Sequence, residues 1–313
     1  MSGRKSAAPR REKRGGIPGG KITLPGLVLA VLLLILAVAY ENGWLESLYP
    51  SEQGQESLLP AGGTGLTLHM VDVGQGLGML LQCGEESAVF DTGTPAAAED
   101  FAEYVSVHAP EGVEYVFLSH PHQDHCGGAR TLFSTVEAKT LVVSDCGERE
   151  AALMQTGEWL GASSAGIDFT EAGREYTLGD ATITVLHPDS DFESDDYNHW
   201  SLVLRVEYAG VSVLLTGDQE QKVEKSLIPM ERVDILQVGH HGSSTSSCQA
   251  FLENIAPDVA LVSVGADNSY GHPHQKTMQR LRETGADIYR TDENGTVVVT
   301  VSPNGSISVT PEK

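Results

Sequence analysis

Ser119-His120-Pro121-His122-Gln123-Asp124-His125-Cys126-Gly127-Gly128 follows directly on the apolar run at residues 115–118, and the fold is read outward from it. A strand end is a rigid place from which to present side chains, and the two glycines allow a tight entry into the next element. Three imidazoles and a carboxylate within six residues supply nitrogen and oxygen donors suited to borderline metals such as zinc or manganese. A solvated polar loop with chance histidines is the competing account. The chain has 11 histidines in 313 residues, so three within six positions, after a strand and before Gly-Gly, favour metal binding.

The H-x-H-x-D-H pattern resembles the signature of the metallo-β-lactamase superfamily. Further motifs stand in order on both sides of it: Asp72-Val73-Gly74-Gln75-Gly76, Phe90-Asp91-Thr92-Gly93, Leu215-Thr216-Gly217-Asp218 and Val238-Gly239-His240-His241-Gly242-Ser243. Tyr270-Gly271-His272-Pro273-His274 and Arg290-Thr291-Asp292-Glu293-Asn294-Gly295 complete the series. Together they resemble the hydrolase domain of the ComEC-type DNA-uptake proteins, over about residues 66–300.

That resemblance implies a four-layer αββα sandwich, with two divalent ions, Zn or Mn, at one edge of its sheets. It puts His120 and His122 on the first ion, Asp124 and His125 on the second, and Asp218 between both. Asp218 as an ordinary Gly-Asp turn is the plainer alternative. Asp91 would orient a ligand histidine from behind. His240, after the strand at 235–238, is the favoured further ligand, with His241 supporting it. His272 is a candidate for the second ion or for the proton given to a leaving oxygen, which makes Asp124, Asp218 and His272 the catalytic set. The third ligand of the first ion stays open between His187, Asn198 and His199; the family has Asn rather than His near 198–201. Two departures stand out. Leu77 replaces the Asp of the family's G-Q-G-D, removing a carboxylate, and Cys126 replaces an aliphatic residue as a packing substitution.

The chain divides into a basic arm (1–21), an apolar span (22–40), a Gly/Ser/Pro-rich linker (41–65) and an α/β body (66–313). Nineteen residues at about 1.5 Å rise span roughly 30 Å, the hydrocarbon thickness of a bilayer. The Lys/Arg cluster before this span predicts a single transmembrane helix with the body outside the cell membrane. Ala37-Val38-Ala39 offers a signal-peptide cleavage site instead, which would make the body secreted. As the one long apolar span, 22–40 suggests a stand-alone relative with its own anchor, working beside a separate DNA-uptake channel. Within the body, short β-branched runs alternate with helical candidates at 96–107, 148–160, 219–227 and 275–284, as in a layered α/β domain. Residues 300–310, around Asn304-Gly305, read as a closing hairpin.

The net charge of −23 is unevenly spread. Seven Lys/Arg and one Glu lie in residues 1–21, leaving 13 basic against 42 acidic residues beyond. So acidic a body repels nucleic-acid phosphates unless bound cations reverse the local sign. Four dispersed cysteines without a CxxC pair exclude a zinc knuckle and read as free core residues. The expected function is a metal-dependent phosphodiesterase or nuclease acting on DNA outside the membrane. The alternatives are hydrolysis of a small ester, thioester or lactam at the same site, or a non-catalytic metal-stabilised surface module.

Overall fold

Alternation along the first strand of the body sets the layers. In β1 (Leu66–Met70), Leu66, Leu68 and Met70 face one way into a core shared by two sheets, while His69 faces the other way. This computed structural model describes residues 65–144 and 157–313. The basic arm, the apolar span 22–40, the linker up to residue 64, most of the helix expected at 148–160, and Cys146 lie outside the described residues. Among the described residues no helix is long and apolar enough to cross a membrane.

After β1 come β2 (Gly78–Cys83), β3 (Glu86–Thr92), α1 (Ala98–His108), β4 (Val113–Leu118), α2 (Gln123–Cys126), α3 (Ala129–Thr135), β5 (Ala138–Ser144) and β6 (Gly166–Thr170). The second half runs through β7 (Glu175–Leu178), β8 (Ala181–His187), β9 (Val203–Tyr208), β10 (Val211–Leu215), α4 (Gln221–Ser226), β11 (Ile235–Gln237) and α5 (Gln249–Ile255). It continues with β12 (Val259–Val262), α6 (Gln275–Thr284), β13 (Asp287–Arg290) and α7 (Thr291–Asn294), before β14 (Val297–Val301) and β15 (Ile307–Pro311) return to the first sheet.

One sheet has the order β15-β14-β1-β2-β3-β4-β5-β6, the other β13-β12-β11-β10-β9-β8-β7. Phe90 and Phe117 of the first sheet meet Leu204, Val213 and Leu261 of the second between them. On the outer face of the first sheet, Phe101 and Val105 of α1 and Leu132 of α3 cover Val89, Val116 and Leu141. On the outer face of the second, Phe251 and Leu252 of α5 and Met278 and Leu281 of α6 cover Leu214, Leu236 and Ala260. Three apolar clusters thus separate four layers, αββα. β3 through β6 pair parallel, as do β10 through β13. Covered on both faces, these strands read as unbroken apolar runs, as in β10 and β12, whose residues are all buried.

The hairpin expected at 300–310 is present as antiparallel β14 and β15, with Val301 opposite Ile307. The short β-branched runs of the body form β1, β3, β4, β5 and β8 through β14. The short helices α3 and α5 and the strands β2, β6 and β7 escaped the sequence reading. β2 is an apolar run without alternation, and α3 and α5 are only seven residues each, too short for a helical period to emerge. Asn294-Gly295 ends helix α7.

His69 shows what the layering costs. It is fully buried beneath α1, its Nδ1 2.8 Å from the Tyr104 hydroxyl and its ring edge-on to Tyr104 and His108. Burial, then the neighbouring His108, pushes its pKa down to about 3, so the folded protein holds it neutral. The unfolded chain takes up a proton below about pH 6.5; the folded chain does not, so stability is lost as pH falls toward 3. We expect the stability advantage of the wild type over His69→Gln, measured by urea unfolding, to shrink by on the order of 2 kcal/mol between pH 7 and 4.5. A constant difference would mean that His69 does not titrate with folding.

Candidate metal centre

The H-x-H-x-D-H segment leaves the carboxyl end of β4, where open and closed parallel sheets alike present their ligands. His122 is extended, and its carbonyl receives the amide of Cys126, so α2 starts immediately after it. That single turn of helix sends His125 inward, where it is fully buried. Beneath it lies Asp91 at the end of β3, also fully buried and in the left-handed region with φ 57°. Its carboxylate accepts the Ser119 amide and hydroxyl, both at 2.7 Å, and faces His125 Nδ1 at 2.7 Å. With Nδ1 engaged there, His125 Nε2 is the nitrogen left for the site. Cys126 packs in the layer between this helix and the first sheet. Burial pushes its thiol up to about 12, in keeping with a packing role.

The second sheet contributes from β10 and β11. Gln237 Oε1 accepts the amides of Thr216 and Gly217 at 2.7 and 2.8 Å, bending the chain after β10. Gly217 has φ 55°, and a Cβ there would lie 2.8 Å from that of Ser119, so glycine alone lets the two strand ends meet. Asp218 follows, 2% exposed, with Oδ1 3.0 Å from His125 Nε2. Burial opposes its charge, but His125 and His241 outweigh burial and hold its pKa well below the usual carboxylate range. After β11, His240 and His241 are both left-handed, at φ 52° and 53°. Such residues cost about 1–3 kcal/mol each and persist where surroundings hold them. Here the His240 amide bonds the Gly217 carbonyl at 3.1 Å, and His241 Nδ1 donates to the Ser263 carbonyl at 2.9 Å.

That second bond leaves His241 Nε2 facing Asp124 Oδ2 at 3.4 Å and Asp218 Oδ1 at 3.5 Å. Asp124, His125, Asp218 and His241 each offer a ligand atom, all within 4.8 Å of one another. His240, the favoured ligand in the sequence, stands outside this group, its Nε2 3.6 Å from Asp218 Oδ2 and its Nδ1 3.3 Å from Glu220. The two adjacent histidines therefore sit in the reverse of the expected arrangement. His120 and His122 lie alongside, His120 Nε2 2.9 Å from His122 Nδ1 and the His120 ring 4.3 Å from that of His125. Burial, then His125, pushes the His120 pKa well down, keeping its lone pair available.

These groups fit metal ions. His125 Nε2, Asp218 Oδ1 and His241 Nε2 are buried without hydrogen-bond partners, although His125 Nε2 lies 3.0 Å from that oxygen. Donors that crowd together without aligning as hydrogen bonds converge on a common point rather than on one another. Three residues competed to complete the first ion, and their surroundings separate them. His187, buried at the end of β8, packs edge-on against Phe192 and donates to the His199 carbonyl at 2.7 Å. His199 turns toward Glu220, 3.5 Å away. Asn198, 8% exposed, keeps an unpartnered Oδ1 three residues before Ser201, whose hydroxyl lies 3.3 Å from His120 Nδ1. Asn198 is thus the one of the three with a free buried donor.

At the rim, His272 stacks with Tyr270 and its ring lies 5.6 Å from that of His240. Asn268 clamps this loop, accepting the His272 amide at 3.0 Å. Burial and the nearby imidazoles of His240, His241 and His274 push the His272 pKa down to about 4. At neutral pH this leaves the free ring uncharged and able to take part in hydrogen bonds at the rim. Leu77, in place of a carboxylate, is fully buried in the inter-sheet core, its amide bonded to the Asp124 carbonyl at 3.0 Å. Beside His122 a cavity of about 750 Å³ opens, lined also by residues 193–197, His199 and Lys222, which no sequence motif announced.

Replacing Asp91 by Asn keeps shape but removes the charge behind His125. We expect Asp91→Asn to bind Zn²⁺ about 10–100-fold more weakly in competition with a chromophoric chelator, and unchanged affinity would deny Asp91 its orienting part.

Comparison with known proteins agrees with this geometry. The model of the metallo-beta-lactamase superfamily matches residues 71–266. ComE operon protein 3 of Bacillus subtilis (strain 168) is 29% identical over 252 residues, covering 73% of this chain and 32% of that protein. Competence protein ComA of Neisseria gonorrhoeae is 32% identical over 232 residues, covering 72% of this chain and 30% of its own length. The chain spans about a third of the length of the curated relatives it matches. Among solved structures, the metallo-beta-lactamase fold protein YhfI from Bacillus subtilis shares the fold, with a TM-score of 0.51 at 14% identity over 78% of this chain and 100% of that one. Because the matched region covers more than half of the chain and holds Asp124, His125, Asp218 and His241 together, the protein belongs to the metallo-beta-lactamase superfamily.

Proposed function

We propose that this metal-dependent hydrolase is a two-metal phosphodiesterase that cleaves DNA on the outer side of a membrane. The observation that carries the reading is the convergence of Asp124, His125, Asp218 and His241 beside the close pair His120 and His122. Six donors with Asp218 near the middle suit two ions better than a single closed structural site, which takes four. Bound there, two divalent ions, Zn²⁺ or Mn²⁺, would supply Lewis acidity and a water of lowered pKa.

The chain's own residues do the rest. Asp91 holds His125 in one orientation, and the Ser263 carbonyl does the same for His241. His240 carries the proton to the leaving oxygen: its Nε2 faces the centre near Asp218, and Glu220 stands behind Nδ1. His272, whose ring lies 5.6 Å from that of His240, donates a hydrogen bond to the substrate from the same side of the mouth. DNA as substrate is supported by the similarity to a protein named for competence. The acidic body argues against tight binding away from the ions. Membrane attachment rests on the apolar span 22–40, and a separate DNA-uptake channel is the partner proposed.

The test uses the full chain, purified without chelator, with Mn²⁺ or Zn²⁺ and three substrates: single-stranded DNA, double-stranded DNA and bis-p-nitrophenyl phosphate. Metal-dependent cleavage of DNA is expected, with Asp218→Asn losing more than about 100-fold, beyond what an outer partner costs. Turnover of the small ester alone would replace DNA by a small substrate. Bound metal without any turnover would make the protein a metal-stabilised surface module.

A further inference from the structure

A second set of ligand atoms lies outside the centre. Asp196, His199 and Glu220 each offer one, all within 4.8 Å of one another. We propose that these three residues form a separate divalent-cation site in the wall of the cavity beside His122.

His199 is built as a ligand is built. Its Nδ1 lies 2.8 Å from the Ser194 hydroxyl, which sets the ring and leaves Nε2 turned toward Glu220 Oε2, 3.5 Å away. A ligating imidazole characteristically engages its other nitrogen in this manner. Its backbone is held as well, by His187 on the carbonyl at 2.7 Å. Asp196 is fixed by the turn it caps, accepting the Asn198 amide through Oδ1 at 3.0 Å. Glu220 is shared: Oε1 lies 3.3 Å from His240 Nδ1, leaving Oε2 for the second site.

Charge around the cavity points the same way, independently of those distances. Glu193, Asp195 and Asp196 line it, with Lys222 as the one Lys or Arg among the lining residues. That ammonium lies over the Phe192 ring, 5.1 Å from its centroid, and donates to the Glu193 backbone carbonyl at 3.5 Å. A cavity so lined repels anions until a cation enters it. One imidazole and two partly exposed carboxylates, with water completing the shell, suit Mn²⁺ or Zn²⁺ held more weakly than at the buried centre. If the phosphodiesterase reading holds, an ion here would reverse the sign of the cavity and receive a phosphate next to the one being cleaved.

The experiment counts ions and so stands apart from cleavage. The full chain is titrated with Mn²⁺ while the EPR signal of free aqueous Mn²⁺ is followed, with circular dichroism melting as the check of folding. Wild type is expected to hold one ion more than His199→Asn or Asp196→Asn. Asp218→Asn is expected to keep that weaker ion while losing those of the centre. Equal ion counts in the wild type and both cavity variants would overturn the proposal. So would a His199→Asn chain that lost the centre's ions and kept the weak one. Failure to cleave DNA would leave the ion count, and the site, as it stands.

Discussion

The carboxylate of Asp91 joins parts of the molecule that would otherwise only be neighbours. It ends β3, sits in a strained left-handed backbone, and is removed from water altogether. A buried carboxylate without partners costs several kcal/mol, yet this one receives the amide and hydroxyl of Ser119 and faces His125. Those contacts tie the end of β3 to the end of β4 and to the helical turn carrying the ligands. The direction of His125 Nε2 follows from this tie, because the other nitrogen of its ring is held there.

The centre also depends on closure of the sandwich. His120, His122, Asp124 and His125 come from the first sheet, and Asp218, His240 and His241 come from the second. Gly217 permits the approach, having no side chain to strike Ser119. The paired left-handed histidines are strained on their own and are held by Gly217 and Ser263, which follow the flanking strands of the same sheet. Ligands assembled from both halves give the ions a share in folding free energy, since the unfolded chain offers no comparable site.

Electrostatics connects the acidic composition with the site. A body with so large an excess of Asp and Glu would repel a polyanion, and the cavity beside His122 concentrates that excess at the mouth. Cations are then the natural means of making an anionic substrate welcome. The buried cluster and the cavity wall both gather carboxylates with imidazoles, in different degrees of burial. Glu220 and His240 link them, each touching one group on either side.

What the sequence determined was whatever is local. The spacing of His120, His122, Asp124 and His125 needs only a strand end and one turn of helix to become a ligand cluster. The six motifs in order identify the family, and β-branched runs mark most of the strands. Tertiary structure decided what adjacent residues cannot reveal about themselves. His240 and His241 have the same chemistry and neighbouring positions, and only the φ angles imposed by Gly217 and Ser263 turn His241 inward. His187, Asn198 and His199 were equal candidates by type. His187, past a bulge in β8, is buried against Phe192 and spent on the His199 carbonyl, and the turn after Asp196 sends His199 to Glu220 while leaving Asn198 with a free oxygen. The cavity itself joins a loop near residue 195 to a helix near 222 and to His122, so no window of sequence contains it. Direction of a side chain is set by backbone angles and by distant contacts, and those exist only once the two sheets have met.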